Sequence, residues 1–426
     1  MATQTIQPKV SVRGLWKVFG HVSNGDVVPS RFENKSKADL REEDNVVLGL
    51  KDVSFDVYAG ETFVVMGLSG SGKSTLVRTL IRLIEPSYGE VLVDGEDIAK
   101  YSQPELVEFR RHKTAMVFQH FGLLPHRTVL ENAAWGLEVQ DMPKAQRLER
   151  AQETLELVGL AGWENNRPNQ LSGGMQQRVG LARAIAANPD ILLMDEPFSG
   201  LDPLIRRDMQ NELIHLQEQL QKTLIFITHD LTEALKLGTR IAIMRDGIVI
   251  QIGTPEEILS NPADDYVAEF VRDVRRSTVV TVRSLMGATR LELRESLSPS
   301  DAMEFMREHG VVSAFVVNAS GHFMGVASFA DVAAANQNAE STIIGCCTLD
   351  EHPTVTADLT VESALPIVQY AEGELPVLDS DGGLVGSLTP SRVLQAMVDE
   401  AAEATEIRES STSALEMEQS SLRTSS

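Results

Sequence analysis

The chain is 426 residues long with an ordinary apolar fraction of 42%, enough for two or three packed domains. Its formal net charge of -23 sets the bulk surface against a phosphate backbone, so no nucleic-acid partner is expected. The only cysteines, Cys346 and Cys347, are adjacent; a ring closed between neighbours is strained, which fits a reducing, cytosolic compartment.

No stretch of about eighteen apolar residues occurs, and Met1 to Val10 is polar without a hydrophobic signal core, so the chain is expected not to span a membrane by itself. If it works at a membrane, a separate subunit must hold it there. From Val10 to Phe270, short β-branched runs alternate with helical stretches, the pattern of an α/β domain with buried strands. Thr62 to Met66 reads as a strand and Ser74 to Leu83 as the helix after it. His21 to Asp44 is polar, charged and weakly periodic, and reads as an insertion before the strand-forming stretch Val46 to Val57. Asp264 to Arg276 reads as a closing helix and linker.

Gly67, Leu68, Ser69, Gly70, Ser71, Gly72, Lys73 and Ser74 match the phosphate-loop pattern, and they stand between an apolar strand and a helix, as that chemistry requires. Glycines let consecutive backbone N–H groups curl around phosphates, the helix start adds its positive end, and Lys73 brings a mobile charge. Ser74 is expected to place its hydroxyl on Mg²⁺. Ile191 to Glu196 is an apolar strand ending in two acids, which presents carboxylates at the strand's C-terminal end. Asp195 suits the metal. Glu196 points differently and suits a general base that polarises water against a γ-phosphate. Leu171, Ser172, Gly173, Gly174 and Met175, followed by Gln176, Gln177 and Arg178, form a second anion-binding helix start, one that an ordinary phosphate-loop enzyme does not need.

Beyond the linker the chain repeats itself. Leu297 to Ala302 leads through a helix to Phe315–Gly321 and Met324–Val326; Leu359 to Ala364 leads likewise to Leu375–Asp381 and Val385–Ser387. Ala302 and Ala364 are 62 residues apart, Gly325 and Gly386 are 61 apart, and the two copies therefore hold register as one helix-strand-strand-helix module used twice. Arg272, Arg275, Arg276, Arg283, Arg290 and Arg294 gather near its start. After Ala401 the chain is rich in Glu, Ser and Thr, and residues 401–426 are expected to be a disordered or frayed acidic tail.

In this order the motifs resemble the ABC ATPase family, which implies an α/β phosphate-loop domain over 10–270, with a RecA-like core and a helical signature subdomain. The resemblance implies ATP and Mg²⁺ as cofactors, and an ATP-binding set of Phe19, Gly67, Ser69, Gly70, Ser71, Gly72, Lys73, Ser74 and Thr75. Phe19 would stack on adenine, with Trp16 as its rival. Ser74, Gln119 and Asp195 would serve the metal, with Gln119 also sensing water; Glu196 would be the base and His229 would contact the γ-phosphate. Two copies would face head to tail, so that Leu171, Ser172, Gly173, Gly174 and Met175 act on the partner's ATP beside the loop Ser199, Gly200, Leu201 and Asp202. Met175 stands where the family often has Gln, and Gly200 where it often has Ala.

The first domain is similar to the ATPase subunits of glycine betaine and proline betaine importers, on the stretches Val65–Ser74, Leu83–Pro86, Met116–Gln119, Leu201–Arg207 and His229–Leu231. The repeat resembles a tandem pair of CBS modules, an α+β arrangement over 279–400 with copies near 279–338 and 342–400. The implied partners are a second copy, transmembrane permease subunits and an extracytoplasmic substrate-binding protein, and the implied place is the cytoplasmic face of the inner membrane. Gln119 to Trp135, with Phe121, Leu123, Leu124 and Pro125, is where a permease would dock. The cargo would be a quaternary amine, with choline, carnitine or an amino acid as alternatives. A non-transport ABC ATPase is the rival class. The CBS pair would sense ionic strength at anionic lipid, bind a nucleotide, or only dimerise.

Overall fold

The computed structural model describes residues 7–20, 46–119, 122–272, 274, 276–289, 292–338, 340–346, 352–371 and 373–398. The insertion His21 to Asp44, Phe121, Cys347, Arg275, Arg290 and the acidic tail lie outside these residues. The chain divides into two units, Met1–Val271 and Arg272–Ser426.

The strands of the first unit are β1 (Val10–Phe19), β2 (Val47–Val57), β3 (Thr62–Met66), β4 (Tyr88–Val93), β5 (Glu96–Asp97), β6 (Thr114–Val117), β7 (Ile191–Asp195), β8 (Thr223–Thr228), β9 (Arg240–Arg245) and β10 (Ile248–Gly253). One sheet is antiparallel, ordered β2-β1-β4-β5. The other is ordered β10-β9-β3-β8-β7-β6; β9, β3, β8, β7 and β6 run parallel, and β10 closes one edge antiparallel. β3, β7 and β8 lie inside this sheet and are buried throughout, which is why they are written as unbroken apolar runs rather than alternating ones.

The helix Lys73–Leu80 packs Leu76, Val77 and Leu80 into a core shared by both sheets, with Val12, Leu50, Phe63 and Ile225 among its members. It stops at Leu80 rather than running to Leu83, because Arg82 takes a left-handed φ of 53° and the Leu83 and Ile84 amides turn back to the Arg78 carbonyl at 2.8 and 3.2 Å. Between β6 and β7 the chain forms a helical layer of Val129–Ala133, Trp135–Val139, Lys144–Leu157 and Gly173–Ala186. The closing helix is Asp265–Val271; the Arg245 guanidinium lies 4.7 Å from the Tyr266 ring centroid, and Arg245 also pairs with Asp264 at 3.2 Å.

The second unit contains β11 (Glu292–Arg294), β12 (Ser313–Val317), β13 (Phe323–Ser328), β14 (Val355–Thr356), β15 (Leu375–Leu378) and β16 (Leu384–Leu388). They make two three-stranded sheets, β11-β12-β13 and β14-β15-β16, each with one parallel and one antiparallel pairing. The copies agree in detail: Val316 faces Gly325 and Val377 faces Gly386, and each ladder slips at the next residue. Their end segments are exchanged. Val282 sits in the core of the second copy with Val361, Val377 and Leu388, whereas Ile343 sits in the core of the first with Leu293 and Val316. Of the arginines near the start of the repeat, Arg283 pairs with Asp358 at 2.9 Å and Arg294 donates to the Asn318 and Ala319 carbonyls.

Candidate functional site

A parallel sheet delivers every strand-to-helix loop at one edge, the C-terminal edge, and the chemistry-bearing residues of the first unit lie there. The phosphate loop follows β3, Gln119 follows β6, Asp195 ends β7 with Glu196 next, and His229 follows β8. These strands are neighbours in the order β3-β8-β7-β6, so their C-terminal ends lie side by side although Gly67 and His229 are far apart in the chain.

The phosphate loop needs its glycines for two reasons. Gly67, Gly70 and Gly72 have φ of 150°, 80° and 105°, values that L side chains rarely adopt. A Cβ at Gly67 would stand 2.2 Å from the Met244 carbonyl oxygen, and one at Gly72 would stand 2.5 Å from that of Gly49. Gly72 caps the helix Lys73–Leu80, and the first i→i−4 bond runs from the Leu76 amide to the Gly72 carbonyl at 2.9 Å. The amides of Lys73, Ser74 and Thr75 therefore have no intrahelical acceptor, the arrangement that suits an anion. Ser71 Oγ is buried without a hydrogen-bond partner among the described residues.

Lys73 is 4% exposed, its Nζ donating to the Gly67 and Leu68 carbonyls at 2.7 and 3.1 Å and standing 3.8 Å from Glu196 Oε1. Burial pulls its pKa below the ordinary lysine value, against the Glu196 and Asp195 carboxylates, which pull it up. Ser74 Oγ donates to Asp195 Oδ1 at 2.9 Å. This hydroxyl and carboxylate are hard oxygen donors, the set that suits Mg²⁺ beside phosphate.

Asp195 and Glu196 diverge for a visible reason. Asp195 is the last residue of β7, buried and paired with Ser74, whereas Glu196 turns into the left-handed region at φ 47°. The amide of Glu196 donates to the Ile227 carbonyl at 3.1 Å, and Glu196 Oε2 meets His229 Nδ1 at 3.0 Å. Glu196 and His229 are thus brought together, and Lys73 stands at the other oxygen of the same carboxylate. Gln119 is exposed at the end of β6.

At the adenine end, the two aromatic candidates separate. Trp16 is buried with Val18, Val46 and Leu48, while Phe19 is 38% exposed. The Phe19 ring lies close to Gly49, where a Cβ would meet Phe19 Cε2 at 2.7 Å and the Thr75 methyl at 3.3 Å, and Lys17 Nζ stands 5.0 Å from the ring centroid. Of the two, only Phe19 presents ring surface to solvent.

Ser172 and Gly173 are exposed at the start of the helix Gly173–Ala186, and Ser172 Oγ accepts from the Met175 amide at 3.3 Å. Leu171 is buried; Gly174 is closed over by Ile205, whose Cγ2 would be 2.6 Å from a Cβ there. Ile205 belongs to the helix Pro203–Leu220, which begins directly after the Ser199–Asp202 loop, so the second anion-binding helix start rests on that loop's own helix. Within the loop, Ser199 Oγ donates to the Glu196 carbonyl at 3.0 Å and Gly200 takes φ 81°.

The sequence reading missed several members. Arg78 donates to Asp195 Oδ2 at 3.3 Å; its spacing from Ser74, one helical turn, was the signal available. Gly49 and Gly247 close against the loop, and only the fold reveals them: the Gly247 amide donates to the Ser71 carbonyl at 2.8 Å. Asn132, fully buried, bonds Leu124 through both its carbonyl oxygen and its amide and so shapes the loop before the helical layer.

Comparison with known proteins gives the family. The family described as "ABC transporter" matches residues 50–199, and the family described as "CBS domain" matches residues 271–338 and 348–399. The chain is 46% identical over 390 residues to the glycine betaine/carnitine transport ATP-binding protein GbuA of Listeria monocytogenes, covering 91% of this chain and 97% of that one. The chain belongs to the ATP-binding subunits of ABC transporters. It is also 44% identical over 397 residues to the glycine betaine/proline betaine transport system ATP-binding protein ProV of Salmonella typhimurium, again covering 91% of this chain and 97% of the relative. Among solved structures, cbiO1 of Clostridium perfringens, described as part of an ABC transporter complex, matches 62% of this chain and 94% of its own at 24% identity and a TM-score of 0.50, a likeness of fold. This ABC ATPase thus carries its ATP-handling edge in the first unit and a CBS pair in the second. No helix among the described residues is long and apolar enough to cross a membrane.

Proposed function

We propose that this ABC ATPase hydrolyses MgATP as one half of a two-fold pair and thereby powers import of glycine betaine, proline betaine or a related quaternary amine through a membrane permease. The observation that carries the reading is the meeting of Lys73, Glu196 and His229 at one sheet edge, 3.8 and 3.0 Å from carboxylate to cation and imidazole. Lys73 and the helix-start amides would bind the outer phosphates, Glu196 would take a proton from the attacking water, and His229 would hold that carboxylate and meet the γ-phosphate. Ser74 and Asp195, with Gln119 beyond β6, would hold Mg²⁺, which supplies charge neutralisation on the phosphate oxygens. Phe19 would stack on the adenine.

The exposed Ser172-capped helix start has the chemistry of a second phosphate site, and a facing copy would use it on the ATP of this one. Trp135 is 41% exposed at the end of the stretch Gln119 to Trp135, whose loop Asn132 shapes through Leu124, and this stretch would receive the permease. The cargo class rests on the relatives, which are named for glycine betaine, carnitine and proline betaine. An extracytoplasmic binding protein would deliver the cargo, and the CBS pair would be the attached regulatory unit.

The test is uptake. Vesicles holding this chain with its permease and binding protein should accumulate labelled glycine betaine only with MgATP on the side of the ATPase, and unlabelled proline betaine should compete. Accumulation of choline alone would reassign the cargo; absence of ATP-driven uptake of every quaternary amine would refute the importer reading.

A further inference from the structure

Behind His229 lies a polar cluster that neither substrate nor metal accounts for. Glu233 is 5% exposed, Gln210 is 7% and Thr228 is 2%. Thr228 Oγ1 donates to Glu233 Oε2 at 2.6 Å and Gln210 Nε2 donates to Glu233 Oε1 at 3.1 Å. A buried carboxylate in an apolar sheet-helix interface is costly, and a well-packed apolar residue would serve stability as well or better. A reason other than stability is needed for its place.

The place is informative. Glu233 stands on the helix Leu231–Leu237, which begins directly after His229 and is capped by Asp230, whose Oδ1 accepts from the Thr232 and Glu233 amides. Gln210 and Arg206 stand on the helix Pro203–Leu220, which begins directly after the Ser199–Asp202 loop. Arg206 spans the gap: Nη2 donates to the Leu201 carbonyl of that loop at 3.4 Å, Nη1 to Asp230 Oδ2 at 3.4 Å, and Nε stands 3.9 Å from Glu233 Oε1. Thr228 ties the same carboxylate to the turn of His229, since its Oγ1 also accepts from the Asp230 amide at 3.0 Å.

We propose that Arg206 and Glu233 are positioning residues that hold His229 in register with the Ser199–Asp202 loop, so that hydrolysis at Glu196 depends on how that loop is seated. The proposal rests on the hydrolytic reading of Glu196 and His229 given above and adds to it the part that links them to the loop. The contact has slack to take up: Arg206 Nε is buried without a hydrogen-bond partner, and its separation from Glu233 exceeds a hydrogen bond by about an ångström. A small shift of Leu201 would close it. Burial raises the Glu233 pKa and Asp230 adds to the rise, while Thr228, Gln210 and Arg206 hold it back; Lys236 reaches the cluster through Gln210 at 3.2 Å. Donors thus meet the carboxylate from the strand, through Thr228, and from the facing helix, through Gln210.

The experiment measures ATP hydrolysis by the transporter complex carrying the full-length chain, as Arg206→Gln, Glu233→Gln and the double variant. Arg206 is 32% exposed at its side chain and Glu233→Gln keeps the shape, and circular dichroism of each variant checks that the fold is retained. Each single change should lower kcat about tenfold while KM for ATP moves by less than about twofold, the signature of an interaction used after binding. The double variant should be no slower than the slower single, because the two residues act as one link. Unchanged kcat, KM rising in step with the fall in kcat, or single effects that multiply in the double variant would each overturn the proposal. Glu196→Gln in the same preparation separates the two readings. If it turns over normally the hydrolytic assignment fails, and if it stalls while Arg206→Gln and Glu233→Gln match the parent, only the positioning link fails.

Discussion

Glu196→Gln should lower ATP turnover by about a hundredfold or more, the worth of a positioned general base, with nucleotide binding retained. The amide has the same shape, and what Glu196 gives its surroundings is mostly main chain: its N–H bonds the Ile227 carbonyl at 3.1 Å, and its carbonyl accepts from Ser199 N at 3.2 Å and Ser199 Oγ at 3.0 Å. The left-handed φ of 47° is a property of the turn, and Gln tolerates it no worse than Glu does. The side chain loses the charge that faces Lys73 at 3.8 Å and His229 Nδ1 at 3.0 Å, and with it the capacity to take a proton from water. Phosphate release by the purified complex in saturating MgATP, alongside binding of a fluorescent ATP analogue, checks both halves. Normal turnover would remove Glu196 from the role of base.

Lys73→Ala should weaken nucleotide binding by roughly ten- to a hundredfold, because a charge-assisted hydrogen bond is worth about 1.5–3 kcal/mol and each 1.4 kcal/mol is a factor of ten. The ammonium is held between two carbonyls of the loop that it would serve, so little rearrangement separates this arrangement from one in which it meets the outer phosphates. Lys73→Arg should restore little. At 4% exposure there is no room for a planar fork where a compact ammonium sits between the Gly67 and Leu68 carbonyls. Titration calorimetry with ATP reads both variants, and parental affinity in Lys73→Ala would mean that this loop is not the phosphate cradle.

Much of this edge could be read before folding, for physical reasons. The phosphate loop is legible because its glycines answer to positive φ and to close backbone approach, demands that few other residues meet. Asp195 and Glu196 are legible because an apolar run that ends in acids places them at a strand's end. Phe19 and Trp16 were not separable, and the cause is β1 itself. Its pairing with β2 slips between Val12 and Leu15, between Leu15 and Lys17 and again before Val18, so inside-outside alternation breaks down where the choice lies. Trp16, Lys17 and Val18 are consecutive and all buried.

The cluster around Glu233 was illegible for a different reason. Arg206 and Glu233 are read separately as ordinary charged helix positions, and only the packing of two helices brings them to one carboxylate. The repeat shows the same limit. Its period is plain in the spacing of Gly325 and Gly386, yet the exchange that puts Val282 into the second core and Ile343 into the first follows from packing that a period does not encode.

The pairing of two chains about bound nucleotide is the claim on which the rest depends. The mass of the full-length Glu196→Gln chain, followed by light scattering as MgATP is raised to saturation, tests it most directly. The expected result is a shift from one chain to two that needs both ATP and Mg²⁺, moves to roughly ten- to a hundredfold higher ATP with Lys73→Ala, and vanishes with a bulky residue at the exposed Ser172. A chain that binds MgATP to saturation and keeps the mass of a single copy would contradict the account.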